Sequence, residues 1–310
     1  LTQPPAEFGL IARHFRPLAG PGALDLLDDA AVLAPPPGRE LVFTADAMVA
    51  GVHFLPDDPA DLVARKLLRV NLSDLAAMGA MPWAYLMTVS APRDTGDDWF
   101  AAFAAGLALD QRRFGISLLG GDTTHTPGPL SLSLTAIGHV APGQAVRRSG
   151  AQPGDEIWVT GTIGDGALGL AALQGRLLDP TGYFADRYHL PQPRLGLVTR
   201  ALVHAAMDVS DGLVQDLGHM ARAAGLAAAL DADAVPRIPG PGPEWRETIL
   251  TGGDDYELLM AVAPGGDDAL RAAAGPVSVT RVGHFRAGEG VDVLENGTKI
   301  ALTRTGWSHF

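Results

Sequence analysis

Strand-period and helix-period segments alternate along this chain, and one Gly/Pro-rich stretch, Pro142 to Asp155, divides the alternation into two halves. In the first half, Leu41, Phe43 and Ala45 share one face of a strand expected to end at Asp46. A long helix follows, with Asp57 or Asp58 as cap, Pro59 in its first turn and Gly79 just past its end. Ala84 to Ser90 reads as a strand, Asp97 to Phe114 as a helix stopped by Gly115, and Ile116 to Leu119 as a short strand running into Gly120-Gly121-Asp122. Leu130, Leu132 and Leu134 alternate with serines, a strand with one buried face. In the second half, strand Ile157 to Thr160 leads through a Gly-rich turn into a helix reaching about Leu173. Helices are expected at Arg194 to His204 and Leu213 to Ala224, strands at Tyr256 to Val262 and Val277 to Val282, and a hairpin turn at Glu295-Asn296-Gly297-Thr298. Phe8, Ile11 and Phe15 give helical spacing near the start. The fold class is mixed α/β (α+β), with domains expected at 1–142 and 143–310.

Composition narrows the function. With 310 residues, 47% hydrophobic and 19% charged, the chain is an ordinary globular one. It has no cysteine, which excludes disulfides, thiolate metal sites and cysteine nucleophiles. No apolar run reaches membrane-spanning length, and the N-terminus lacks a signal-peptide pattern, so no membrane partner and a cytoplasmic location are expected. The net charge of −12 argues against nucleic-acid binding.

The acids sit where apolar pattern breaks. Asp28 and Asp29 interrupt an apolar stretch, Asp46 follows Thr44 at an expected strand end, and Asp122 follows two glycines. Asp208 and Asp211 bracket Ser210. Asp beside Gly or before a helix is ordinarily a turn or cap residue. Asp74 resists that reading: with Leu67, Asn71 and Met78 it lies on one apolar helix face, where a carboxylate needs a partner. A buried ion pair is one answer. The other is a hard cation, since carboxylates without His or Cys neighbours suit magnesium, whose shell is completed by water and substrate phosphates. No Walker A pattern is present. Gly161 to Gly166 follows a strand and opens a helix, so its backbone N–H groups are placed to cradle an anion, though a plain tight turn is the commoner outcome. Arg147 and Arg148 supply guanidinium groups suited to phosphate.

Read together, the motifs resemble those of thiamine-monophosphate kinases. They are Glu7-Phe8-Gly9-Leu10-Ile11, Asp28-Asp29, Val49-Ala50-Gly51-Val52-His53-Phe54, Val70 to Gly79, Gly120-Gly121-Asp122-Thr123-Thr124, Arg148-Ser149-Gly150, Asp208-Val209-Ser210-Asp211-Gly212-Leu213 and Gly252-Gly253-Asp254-Asp255-Tyr256-Glu257-Leu258. The resemblance implies a two-domain aminoimidazole-ribonucleotide-synthetase-like fold. Its N-terminal domain would bind ATP and magnesium and form a homodimer, and its C-terminal domain would complete an active site between the halves. The implied reaction moves the γ-phosphoryl of ATP onto thiamine monophosphate. Carried over residue by residue, magnesium would be held by Asp28, Asp29, Thr44, Asp46, Asp74, Asp122, Asp208 and Asp211. ATP would meet Gly121, Arg148 and Ser210, and thiamine monophosphate would meet His53, Asp254 and Trp307. Asp74, Asp122 and Arg148 would carry the catalytic charge neutralisation. This chain has Asp25-Leu26-Leu27 where the family usually has Gly-x-Gly, Asp254 where it typically has Glu, and Ala45 for a common threonine. Two alternatives share the metal-and-nucleotide logic: a related ATP-dependent synthetase or ligase acting on another small molecule, and a nucleotide-binding protein with impaired catalysis.

Overall fold

The computed structural model describes residues 6–308, which fall into two compact units. The first comprises residues up to Leu75 together with Met81–Pro142; the second comprises Ala76–Ala80 and the chain from Gly143 on.

In the first unit a short helix α1 (Ala6–Leu10) precedes strand β1 (Glu40–Val49), helix α2 (Ala60–Ala77), strand β2 (Met81–Ala91), helix α3 (Asp97–Phe114) and strands β3 (Ser117–His125) and β4 (Ser131–Val140). The strands form one sheet in the order β1-β4-β2-β3, so β1 and β3 are its edges. Along β1, Val42 and Met48 are buried while Phe43 is 61% exposed, as a pleat with one covered face requires. The helices cover the inner face. Tyr85 of β2 is fully buried beneath α3 and takes a hydrogen bond from Gln111, and burial pushes its hydroxyl pKa up. Arg69 of α2, fully buried, donates to Asp110 of α3 at 2.6 and 3.1 Å, pinning the two helices together. Gly106 permits their close approach: a Cβ there would lie 2.3 Å from the Asp61 carbonyl.

Two expectations are corrected here. Asp46 and Asp122 do not end their strands. Asp46 lies inside β1, and β3 continues through Gly120-Gly121-Asp122 to His125 because β2 pairs with it along that length. An edge strand tolerates polar residues, since one side of its backbone is open to water.

The second unit contains β5 (Glu156–Thr160), α4 (Asp165–Leu173), α5 (Tyr183–His189), β6 (Ala205–Asp208), α6 (Leu213–Ala224), β7 (Ala227–Asp231), α7 (Arg246–Thr251), β8 (Leu258–Val262), α8 (Asp267–Ala274), β9 (Val279–Arg286), β10 (Gly290–Glu295) and β11 (Thr298–Lys299). Its seven strands run β11-β10-β7-β9-β5-β8-β6, antiparallel except for the β7–β10 pair. Both faces are covered. Ile157, Val159, Met207 and Leu259 meet Leu213, Leu217 and Met220 of α6 on one side. Trp158, Ala206, Leu258 and Met260 meet Leu270 of α8, together with Ala76 and Ala77, on the other. The helix expected over Arg194 to His204 does not form. Gly196 takes φ +82°, and the Arg194 side chain is drawn to Glu257 instead. No helix among the described residues is long and apolar enough to cross a membrane.

Candidate active site

In the first unit, α2 and β1 build an oxygen-lined group. Asn71 and Asp74 lie about one helical turn apart on the face of α2 that meets β1. The Thr44 hydroxyl donates to the Asp74 carboxylate at 2.5 Å, and the Asp46 N–H donates to the Asn71 side-chain oxygen at 3.2 Å. Asn71 is fully buried and donates in turn to the Leu67 carbonyl, so it acts as a fixed strut for Asp46. Because the Thr44 hydroxyl spends its hydrogen on Asp74, its lone pairs remain available to a cation. Hydroxyl and carboxylate oxygens, with no imidazole or thiolate among them, fit a hard divalent ion.

Asp122 stands elsewhere. Asp46 opposes Leu134, Leu134 opposes Met87 and Met87 opposes Gly121, so Asp46 and the residue before Asp122 share a row on opposite edge strands. Three strand spacings make that about 14 Å along the sheet. Gly121 lies hard against β2, where a Cβ would come within 1.7 Å of the Met87 carbonyl. Asp28 and Asp29 are exposed on a loop fastened beside β3 by a hydrogen bond from the Gly20 N–H to the Leu118 carbonyl. The Asp29 N–H donates to the Asp28 side chain at 2.9 Å. Just before them Leu24, Asp25 and Leu26 take φ of 51°, 57° and 55°. Left-handed backbone of this kind costs about 1–2 kcal/mol per non-glycine residue.

His53 lies in the turn after β1. Its Nδ1 accepts the Val49 N–H at 3.0 Å, which leaves the ring proton on Nε2, facing away from that bond. Its carbonyl accepts from the buried Lys66 ammonium at 3.1 Å.

In the second unit the segment Asp208–Gly212 links β6 to α6. The Asp254 N–H donates to the Ser210 carbonyl at 2.9 Å, and the Trp307 N–H donates to the Asp211 carbonyl at 2.9 Å. The Tyr256 N–H reaches the Val209 carbonyl at 2.8 Å, and the Gln215 side chain donates to the Trp307 carbonyl at 2.6 Å. Backbone hydrogen bonds thus bring Ser210, Asp211, Asp254 and Trp307 to one place. Arg148 lies exposed on the turn Arg148–Gly150, which packs against β6 and α6.

Asp216 was not marked by its sequence context. From the first turn of α6 its carboxylate accepts the N–H groups of Ser210, Asp211 and Gly212 at 3.0–3.1 Å, holding the whole loop. Burial pushes its pKa up to about 7 in spite of those three donors. Ligand-type atoms of Asp211, Asp216 and His219 lie within 4.8 Å of one another.

The Gly161–Gly166 turn takes the commoner of its two expected forms, a tight strand-to-helix turn. Its N–H groups are taken by the protein's own Asp255, whose side chain accepts from Gly164 at 2.7 Å and Gly166 at 3.0 Å. Nearby, the fully buried Glu257 accepts from Thr160 at 2.6 Å, Arg187 at 2.8 Å and Arg194 at 2.6 and 2.5 Å. Burial pushes the Asp255 pKa up from its ordinary value, partly opposed by the Gly164 and Gly166 N–H groups. Burial also works against the charge on Arg187, yet Glu257, Asp165 and Asp255 outweigh it and hold the guanidinium pKa above its ordinary value.

Both units match family models: residues 27–140 match the N-terminal domain of AIR synthase related proteins, and residues 152–295 match the C-terminal domain. The thiamine-monophosphate kinase of Caulobacter vibrioides is 48% identical over 99% of this chain and 91% of its own length. This chain belongs to the thiamine-monophosphate kinase family. The crystal structure of thiamine-monophosphate kinase from Stenotrophomonas maltophilia superposes with TM-score 0.84 at 43% identity, covering 95% of this chain and 98% of that one. A structure described as AaThiL complexed with AMPPCP and TMP gives TM-score 0.77 at 28% identity, covering 91% of each chain. The expected two-domain AIR-synthase-like α/β fold is the one found.

Proposed function

We propose that this protein is an ATP-dependent kinase that phosphorylates thiamine monophosphate to thiamine diphosphate by direct in-line transfer. The observation that carries the reading is near-full-length identity of 48% to a kinase of that name, spanning both domains. A relative bound to AMPPCP, an ATP analogue, and TMP supports the same pair of substrates.

The acceptor is a phosphate monoester whose second pKa is about 6, so at neutral pH it is already largely the dianion and needs no general base. What remains is to hold two polyanions in line and neutralise their charge. When bound, magnesium would supply that charge neutralisation. In the first unit, Thr44, Asp46 and Asp74 are assigned to one ion and Asp122, on the opposite edge strand, to another position, with Asp28 and Asp29 as further ligands. Gly121 contributes backbone to the nucleotide, and His53 offers its Nε2–H to the acceptor. In the second unit Asp208 and Asp211 are assigned as metal ligands, Ser210 and Arg148 as nucleotide contacts, and Asp254 and Trp307 as acceptor contacts. Arg148 adds positive charge beside the transferring group. Domain 1–142 is assigned dimer, metal and nucleotide contacts and the His53 contact to the acceptor, and domain 143–310 completes the site with further metal, nucleotide and acceptor contacts.

A homodimer in the cytoplasm is part of the reading. Phe43, Met81 and Leu86, 61%, 52% and 41% exposed, lie on strands of the first unit's sheet and offer apolar surface to a second copy. The test of the activity is direct: ATP, magnesium and thiamine monophosphate are mixed with the protein, and ADP and thiamine diphosphate are quantified, with other acceptor phosphates in parallel. Stoichiometric formation of both products supports the reading; ADP release that favours another acceptor overturns it.

A further inference from the structure

We propose that Asp255 is a positioning residue for the acceptor, acting through Asp254. The proposal rests on the assignment of Asp254 to thiamine monophosphate. An aspartate side chain has few torsions, so the place of its carboxylate is decided mainly by its backbone. That backbone is unusual: Asp254 and Tyr256 take φ of +72° and +51°. Such conformations persist only where the surroundings over-determine them.

Here they do. Asp255 and Glu257 turn into the protein, 1% and 0% exposed, while Asp254 and Tyr256 are only half-buried. Asp255 grips the Gly164 and Gly166 N–H groups, and the same turn forms the wall behind Asp254. A Cβ on Gly166 would lie 2.3 Å from the Asp254 carbonyl oxygen and 2.8 Å from its Cβ. Arg187 donates both to the Asp255 carbonyl at 3.3 Å and to Glu257 at 2.8 Å, so one guanidinium links the two inward residues. The Ser210 carbonyl holds the Asp254 N–H from the other side. Asp255 therefore sets where Asp254 points without touching the ligand itself.

The test is Asp255→Asn, alone and combined with Asp254→Ala, in steady-state kinetics with folding checked by circular dichroism. The single variant is expected to raise KM for thiamine monophosphate by roughly 10- to 100-fold, as small misplacements of a positioning group do, with KM for ATP nearly unchanged. In the Asp254→Ala background, Asp255→Asn should add nothing further, because its effect passes through the missing carboxylate. Should Asp255→Asn fail to fold, Gly166→Ala presses on the same backbone and should show the same selective rise in KM. An unchanged KM for thiamine monophosphate, equal losses for both substrates, or additive losses in the double variant overturn the proposal. Wild-type turnover run alongside separates the two ideas: if it fails, the assigned activity falls and this proposal with it, whereas a sound wild type with an indifferent Asp255→Asn removes only this one.

Discussion

Replacing Asp74 by Asn tests the metal assignment at its most exposed point. The substitution changes charge but little shape, and the amide oxygen still accepts the Thr44 hydroxyl, which now sits 2.5 Å from the carboxylate. Stability without metal should therefore move by less than about 1 kcal/mol. Loss of an anionic ligand should weaken magnesium binding by at least about tenfold, since even the outer partners of metal ligands contribute that much. The consequence for stability follows from mass action. At a magnesium concentration of about 100 Kd the wild type gains about 2.7 kcal/mol, while a variant with tenfold weaker binding gains about 1.4. The two proteins should unfold alike in chelator and separate by about 1.3 kcal/mol in magnesium. The assays are urea unfolding with and without magnesium and a coupled ADP assay titrated with magnesium. Half-saturation should shift upward by the same factor, and kcat/KM should fall by roughly 100-fold or more. If half-saturation and turnover stay within twofold of wild type, Asp74 is not a ligand and the α2–β1 group is a structural one.

Other consequences concern separate parts of the molecule. Leu24→Gly should stabilise the protein by about 0.5–1 kcal/mol, because relief of a left-handed backbone exceeds the added entropy of the unfolded chain; a loss of stability in urea titration would show that the Leu24 side chain, 45% exposed, packs more than its backbone strains. Phe43→Glu should leave a monomer in sedimentation velocity, and a wild type that is already monomeric at tens of micromolar would remove the homodimer assignment. Hydrogen bonds from His14 and then Arg13 hold the Asp97 pKa below the ordinary carboxylate range. Its contribution is present above the unfolded pKa of about 4 and is lost as pH falls through the lower folded value. Asp97→Asn should therefore flatten the acid limb of the stability profile, and an unaltered limb in urea unfolding below about pH 6 would contradict the linkage.

The elements legible from sequence were those with local stop signals. Helices α3, α4 and α6 lie within a residue or two of their expected bounds, and α3 and α6 end on glycines at φ +65° and +68°. The hairpin over Asn296-Gly297 forms between β10 and β11 as its turn residues require. Strands β6 and β7 gave no such signal. Ala205-Ala206-Met207 and Ala227-Ala228-Ala229 are poor strand formers, and they are extended because the sheet is covered on both faces and small side chains fit there. The Arg194–His204 helix failed for the converse reason: its apolar spacing was adequate, but Glu257 claims Arg194 and Gly196 breaks the backbone.

The same distinction runs through the site. Asp74 announced itself because a carboxylate on an apolar helix face is a local anomaly, and the hydroxyl that meets it comes from Thr44 on the neighbouring strand. The residues that hold the second unit's loops showed no local anomaly that gave their role, although Asp255 and Glu257 lie in one of the quoted motifs. Asp255 is explained by N–H donors 89 and 91 positions away, and Glu257 by a hydroxyl 97 positions away. A glycine-rich turn opening a helix offers N–H donors; it does not say which acceptor takes them. Here the carboxylate of Asp255 takes the place a phosphate oxygen would occupy, and the turn is spent on architecture. The proposed function therefore assigns the phosphates to carboxylate-bound cations and exposed guanidinium groups. That is consistent with a chain that is strongly acidic, has no Walker lysine, and keeps Arg148 exposed while Arg187 is buried among acids.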